Sequence, residues 1–103
     1  MRRDEVWTAA GKPRPVVIVQ SDAFDATESI TVCGLATSPT EARLARPIVE
    51  PNEANGLKVT CRLMADKIIT MPRAKLGDRL GRLVDEDILR MNRAILVFLG
   101  LAG

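Results

Sequence analysis

Only one part of this 103-residue chain repeats its apolar side chains at helical spacing. Val84, Ile88, Met91, Ile95 and Phe98 recur every three or four positions and so share one face of a helix. Everything before Val84 is short, alternating or ended by Pro and Gly, which is the pattern of strands and turns. The chain is therefore expected to be mainly β with a C-terminal α-helix, built as a small, strongly bent sheet or barrel of five to seven mostly antiparallel strands. No repeat, linker or low-complexity tract divides it, so one domain over residues 1–103 is expected.

The elements follow from local chemistry. Glu5 to Ala9 and Pro15 to Gln20 are rich in β-formers, and Gly11-Lys12-Pro13 between them signals a hairpin turn. Pro13 and Pro15 bracket Arg14 and hold it extended. Ser29 to Ala36 is the third strand. Arg43 to Glu50 reads as an edge strand, because Pro47 cannot donate to a ladder. From Leu57, residues Leu57, Val59, Cys61 and Leu63 alternate with Lys58, Thr60 and Arg62, giving one core face and one polar face. Asp66 to Met71 is the next strand, stopped by Pro72. Residues 73–83 form a short helical turn and a last strand piece. Asp85 is expected to cap the helix, with Glu86 and Asp87 at the positive end of its dipole and Gly100 as its stop.

Composition narrows the chemistry. There is no His, so imidazole-based proton transfer and imidazole metal sites are excluded. Cys33 and Cys61 lack a Cys-x-x-Cys spacing and no secretory leader precedes them, which fits two buried thiols in a reducing cytoplasm. The longest apolar run, Ala94 to Gly103, is about half the ~20 residues a helix needs to cross a bilayer. The net charge of +2 is small, but it is unevenly spread. Residues 58–82 carry seven cations against two acids, while residues 21–57 carry six acids against two cations. A two-sided chain of this kind offers a track for an anionic polymer, although solvating a surface is the ordinary use of such charges.

Arg2-Arg3-Asp4-Glu5-Val6-Trp7, the run Lys12 to Gln20, Ser29 to Cys33, Asn55-Gly56-Leu57, the block Cys61 to Ile68 and the tail Asn92 to Gly100 stand in an order that resembles the MazF/PemK toxin family over nearly the whole chain. The resemblance implies an SH3-like barrel of the CcdB/MazF type. It implies a cytoplasmic, ribosome-independent endoribonuclease that cuts single-stranded RNA at short sequences without metal or cofactor. It also implies a homodimer, and an antitoxin whose disordered acidic tail lies across the RNA site.

In that pattern the Arg of the Arg-Pro pair is catalytic and falls on Arg14. A guanidinium stays cationic and can hold two phosphoryl oxygens while a ribose 2′-OH attacks, although an Arg at a hairpin mouth can also serve solvation alone. The pattern's Thr at the end of the third strand is replaced by Ala36, with Thr37 next to it. Thr37 either supplies that hydroxyl or satisfies backbone at a strand end. Asp66 matches an acidic position used as a general base, with a turn acid paired to Lys67 or Arg62 as the plain alternative. Lys12, Lys58, Arg62 and Lys67 are the expected RNA contacts. The pattern's Gly ahead of the first strand is Asp4 here. Two other functions share the fold: a binding module that has lost cleavage through Ala36, and a gyrase-inhibiting toxin. The second is disfavoured because the chain ends Leu99-Gly100-Leu101-Ala102-Gly103 without a Trp.

Overall fold

The computed structural model describes residues 1–10, 14–37 and 46–103. Its strands are β1 (Glu5–Ala9), β2 (Pro15–Ile18), β3 (Ser29–Ala36), β4 (Ile48–Val49), β5 (Cys61–Pro72) and β6 (Leu76–Arg82), followed by helix α1 (Asp85–Phe98). All pairings are antiparallel, and the strands lie in the order β4-β5-β3-β2-β1-β6.

That order forces the sheet to curl. β5 and β6 are four strand spacings apart, about 19 Å across a flat sheet. Yet they are joined only by the 3-10 turn Arg73–Lys75, which covers roughly 8 Å at its rise per residue. The strands can satisfy both facts only if the sheet rolls until β6 approaches the end of β5. The amide of Ala10, donating to Lys75 O at 2.6 Å, holds this corner. The expected bent antiparallel architecture with its helix is the one observed.

Several expected boundaries move. The segments expected as two strands, 57–63 and 66–71, are one long strand that begins only at Cys61, while Leu57 to Thr60 stay outside the ladder. Of the expected strand 43–50, the described part pairs only at Ile48–Val49; residues 43–45 lie outside the described residues. Between the pairs Cys33↔Ile68 and Leu35↔Leu63, Gly34 alone faces the four residues Met64, Ala65, Asp66 and Lys67. This bulge carries β5 across without a break, which alternation in the sequence does not show.

The curled sheet buries apolar side chains on both faces. Val6, Val17, Cys33, Leu35, Leu63 and their neighbours pack with Met91 and Ala94 of α1. Val16, Ile18, Ile30, Val32 and Leu76 form a smaller cluster flanked by Trp7 and Met71. Both thiols are buried and unpaired to each other, and burial pushes the Cys33 thiol up to about 12.

The helix starts one residue earlier than a cap at Asp85 requires. Val84 is the N-cap and gives no side-chain hydrogen bond, so Asp85, Glu86 and Asp87 favour the first turn through its dipole and not as caps. At the other end Gly100 takes φ 75°, with Leu101 N donating to Leu96 O and Gly100 N to Val97 O, a Schellman close. Phe98, expected on the core face, is half exposed there. Asp4 also adopts a left-handed φ of 73°, the conformation that explains why the related pattern favours Gly at this place. Asp4 tolerates it with its amide donating to Ile18 O and its carboxylate accepting from Arg3 Nη1 at 3.0 Å.

Candidate active site

The site is built where β2 starts and β3 ends. Arg14 directly precedes β2, and its carbonyl accepts from Ala9 N at 3.2 Å, which pins the hairpin mouth on β1. The β2–β3 register runs Val16↔Gly34, Val17↔Cys33 and Ile18↔Val32. Continued by two residues, it sets Arg14 beside Ala36. Thr37 follows at once, past the last paired residue of β3. The alternation of β3 turns Cys33 and Leu35 into the core and leaves its end free to line a cavity.

The opposite wall comes from the loop after β4. Asn55 is fully buried and organises it: its Oδ1 accepts from Asn52 N at 3.1 Å and Leu57 N at 2.9 Å, and its Nδ2 donates to Glu50 O at 2.9 Å. Gly56 has φ 69°, and a Cβ there would strike the Leu80 carbonyl of β6. Gly81 meets the Ala54 carbonyl in the same way, and Arg82 N donates to Ala54 O at 2.8 Å. The loop thus lies directly on the β6 backbone and delivers Lys58 at a set place.

Between the two walls is a cleft of about 430 Å³. Arg14, Thr37, Lys58, Thr8, Ala36 and Leu80 are among its lining residues, and Arg14, Thr37 and Lys58 are exposed. Among the described residues no carboxylate lines it and none is ion-paired with Arg14. The result is a concave surface with two cations and hydroxyl groups, suited to holding a phosphodiester. Among the described residues no three His, Cys, Asp or Glu side chains form a metal-binding group.

Of the expected site residues, the structure gathers Arg14, Thr37 and Lys58. Lys12 lies outside the described residues. Asp66, Arg62 and Lys67 do not line the cleft. Arg62 is half-buried on β5, opposite Ala36 on one side and Ile48 on the other, and Lys67 is exposed on the bulge. Asp66, expected as a general base, stands outside the cleft, where the bulge turns it toward Arg46. Arg46 Nε donates to Oδ1 at 2.9 Å and Nη2 to Oδ2 at 3.0 Å, so both carboxylate oxygens are engaged. Those hydrogen bonds from Arg46 hold the Asp66 carboxyl below its ordinary value. The partner is neither Lys67 nor Arg62.

Thr8 was missed in the sequence because a Thr in a first strand carries no distinguishing signal. Its Oγ1 accepts from Asp78 N at 2.9 Å, which ties this wall of the cleft to β6. Trp7 donates its indole N–H to Glu5 Oε1 at 3.1 Å and packs against the smaller core cluster.

Comparison with known proteins agrees with this geometry. Residues 3–99 match the family model described as the PemK-like, MazF-like toxin of type II toxin-antitoxin systems. The chain is 51% identical over 109 aligned positions to a protein of Mycolicibacterium smegmatis named probable endoribonuclease MazF, with all of both chains covered. A solved mycobacterial structure, described as an endoribonuclease in complex with its cognate antitoxin, superposes with a TM-score of 0.87 at 24% identity, covering 100% of this chain and 98% of that one. A MazE-MazF structure from Deinococcus radiodurans gives 0.82 at 12% identity, covering 99% and 98%. At these identities both structures speak to the fold.

Proposed function

The chain belongs to the PemK-like, MazF-like toxin family of type II toxin-antitoxin systems, and from that premise we propose that it is an endoribonuclease that cuts single-stranded RNA in the Arg14 cleft. The observation that carries this is the meeting of Arg14, Thr37 and Lys58 in one cavity that no carboxylate lines among the described residues.

The chemistry is a transphosphorylation. The ribose 2′-oxygen forms a bond to the adjacent phosphorus as the bond from phosphorus to the 5′-oxygen breaks, leaving a 2′,3′-cyclic phosphate and a 5′-hydroxyl. Charge grows on the non-bridging oxygens, and the Arg14 guanidinium offers two parallel donors to them. Thr37 supplies a hydroxyl at the same cleft, which compensates for the methyl of Ala36. Lys58 holds a neighbouring phosphate from the opposite wall. The 2′-OH proton passes to solvent water, and the departing 5′-oxygen takes one from solvent. Asp66 is left out of the proton path because Arg46 engages both its oxygens and it stands outside the cleft. Arg62 and Lys67 extend the cationic track beyond the reaction centre.

Among the described residues no helix is long and apolar enough to cross a membrane. Buried free thiols and an RNA substrate both suit the cytoplasm. A homodimer would double the cationic track, and an antitoxin with an acidic, extended tail would compete with RNA for Arg14 and Lys58 by like chemistry.

The test is cleavage of a long, unstructured RNA by purified protein in EDTA. Fragments with 2′,3′-cyclic phosphate ends that vanish with Arg14→Ala are expected. Intact RNA across varied sequences, with tight RNA binding retained, would reduce the chain to a binding module.

A further inference from the structure

We propose that the apolar groove on the far side of Arg14 is a nucleobase subsite, holding the base of one of the two nucleotides joined by the scissile phosphate. The proposal rests on Arg14 being the residue that holds that phosphate.

Arg14 lines two cavities. Besides the cleft it shares with Lys58 and Thr37, it stands at the edge of a groove of about 510 Å³ lined by Val16, Gly34, Met64, Ile69 and Met71 among others. A phosphodiester has a nucleoside on each side. A phosphate on Arg14 therefore borders both cavities, and a strand crossing this guanidinium can place a nucleoside in each.

The groove's construction suits a base. Apart from Arg14, the described residues that line it are all apolar, so a base there would be held by its faces and not by its edges. Two of its walls are the thioethers of Met64 and Met71, which are polarizable and adaptable in shape. Gly34 makes room: a Cβ on it would stand 2.6 Å from Met64 Cε, so the Met64 methyl reaches across bare backbone. Met64 itself belongs to the four-residue bulge of β5. Ile69 is 51% exposed, which leaves apolar surface open at the mouth.

Charge favours RNA over a protein face as the occupant. Among the described residues no acid lines the groove, and an apolar protein surface laid over it would desolvate Arg14 without supplying an anion. A nucleotide brings its own phosphate. The two cavities then divide the labour: the cleft, with Thr8, Thr37 and Lys58, has groups that can read base edges, whereas the groove does not discriminate. Cleavage sites should accept all four bases on one side of the cut and be restricted on the other.

The test starts from cleavage positions mapped on a long RNA with the wild-type protein. A short RNA carrying one such site is then made with an abasic residue on either side of the scissile phosphate. At one of these two positions the abasic residue is expected to lower kcat/KM about tenfold, as loss of one stacked base does. The double variant Met64→Ala, Ile69→Ala should lose about tenfold on intact RNA and little more on the abasic RNA, while Met64→Leu keeps near wild-type rates. Losses that multiply, or abasic residues without effect, would overturn the subsite while leaving RNA cleavage by Arg14 standing. A double variant that sediments as monomer where the wild type is a dimer, and loses equally on both RNAs, would assign the groove to contact between copies. A wild type that neither cuts nor binds RNA overturns both proposals.

Discussion

Two arginines a short distance outside β-strands, Arg14 before β2 and Arg46 before β4, show how the fold sets the same side chain to opposite uses. Arg46 is almost enclosed, with 11% of its side chain exposed, and its fork is matched to both oxygens of Asp66. Its charge is neutralised within the protein. Arg14 is exposed, lines two cavities, and has no carboxylate partner among the described residues. A cation left without an internal anion at a concave surface is the one that can act on a phosphate. Residue type does not separate the two; the position of the nearest carboxylate does.

The comparison breaks most sharply at Arg14. Arg14→Ala should lower RNA cleavage about a hundredfold or more, with little change in the urea unfolding midpoint. Arg14→Lys should recover only part of the rate, because an ammonium cannot present two fixed parallel donors. If Arg14→Ala instead destabilises the fold and spares cleavage, the roles of the two arginines are reversed.

Asp66→Asn tests the other half. It should cost about 2 kcal/mol of stability at neutral pH, since it leaves the enclosed Arg46 guanidinium without its anion. Cleavage measured well below the melting temperature should fall far less than for Arg14→Ala; a comparable fall would return Asp66 to the proton path. The pH dependence has a definite sign. Arg46 holds the Asp66 carboxyl below its ordinary 3.8, so the stabilisation is present above that value and is lost as pH falls through the depressed one. The stability gap between wild type and Asp66→Asn should therefore be constant near neutrality and shrink in strong acid.

Lys58→Ala sharpens the account of the cleft. Removing one phosphate contact should reduce the slope of log affinity against log salt by about one unit, measured by RNA binding across a salt titration. A slope unchanged by the substitution would take Lys58 off the RNA path. The smallest effect is expected at Asp4→Gly. Relief of the left-handed backbone and loss of the contact with Arg3 oppose each other, so stability should stay within about 1 kcal/mol of wild type by urea unfolding.

Much of this was legible beforehand. The apolar spacing of 84–98 specified the helix, Gly100 its end, and Arg14 with the following Pro15 the residue at the hairpin mouth. The cleft was half legible: Lys58 could be assigned to a polar face, but its delivery to Arg14 depends on Asn55, Gly56 and Gly81 meeting across 25 residues of chain. The pairing of Asp66 with Arg46 was not legible, because a carboxylate next to a cationic track looks the same in sequence whether it is free or engaged.

Local chemistry alone determined which segments could be strands, where the helix lies, and which residue types were present to handle an anion, because these depend on neighbours a few positions apart. Which of those charges remain available was decided by the curl of the sheet and the bulge opposite Gly34. Those two features bring Arg46 to Asp66 and leave Arg14 with no such partner among the described residues, since an ion pair forms between groups close in space, whatever their separation along the chain.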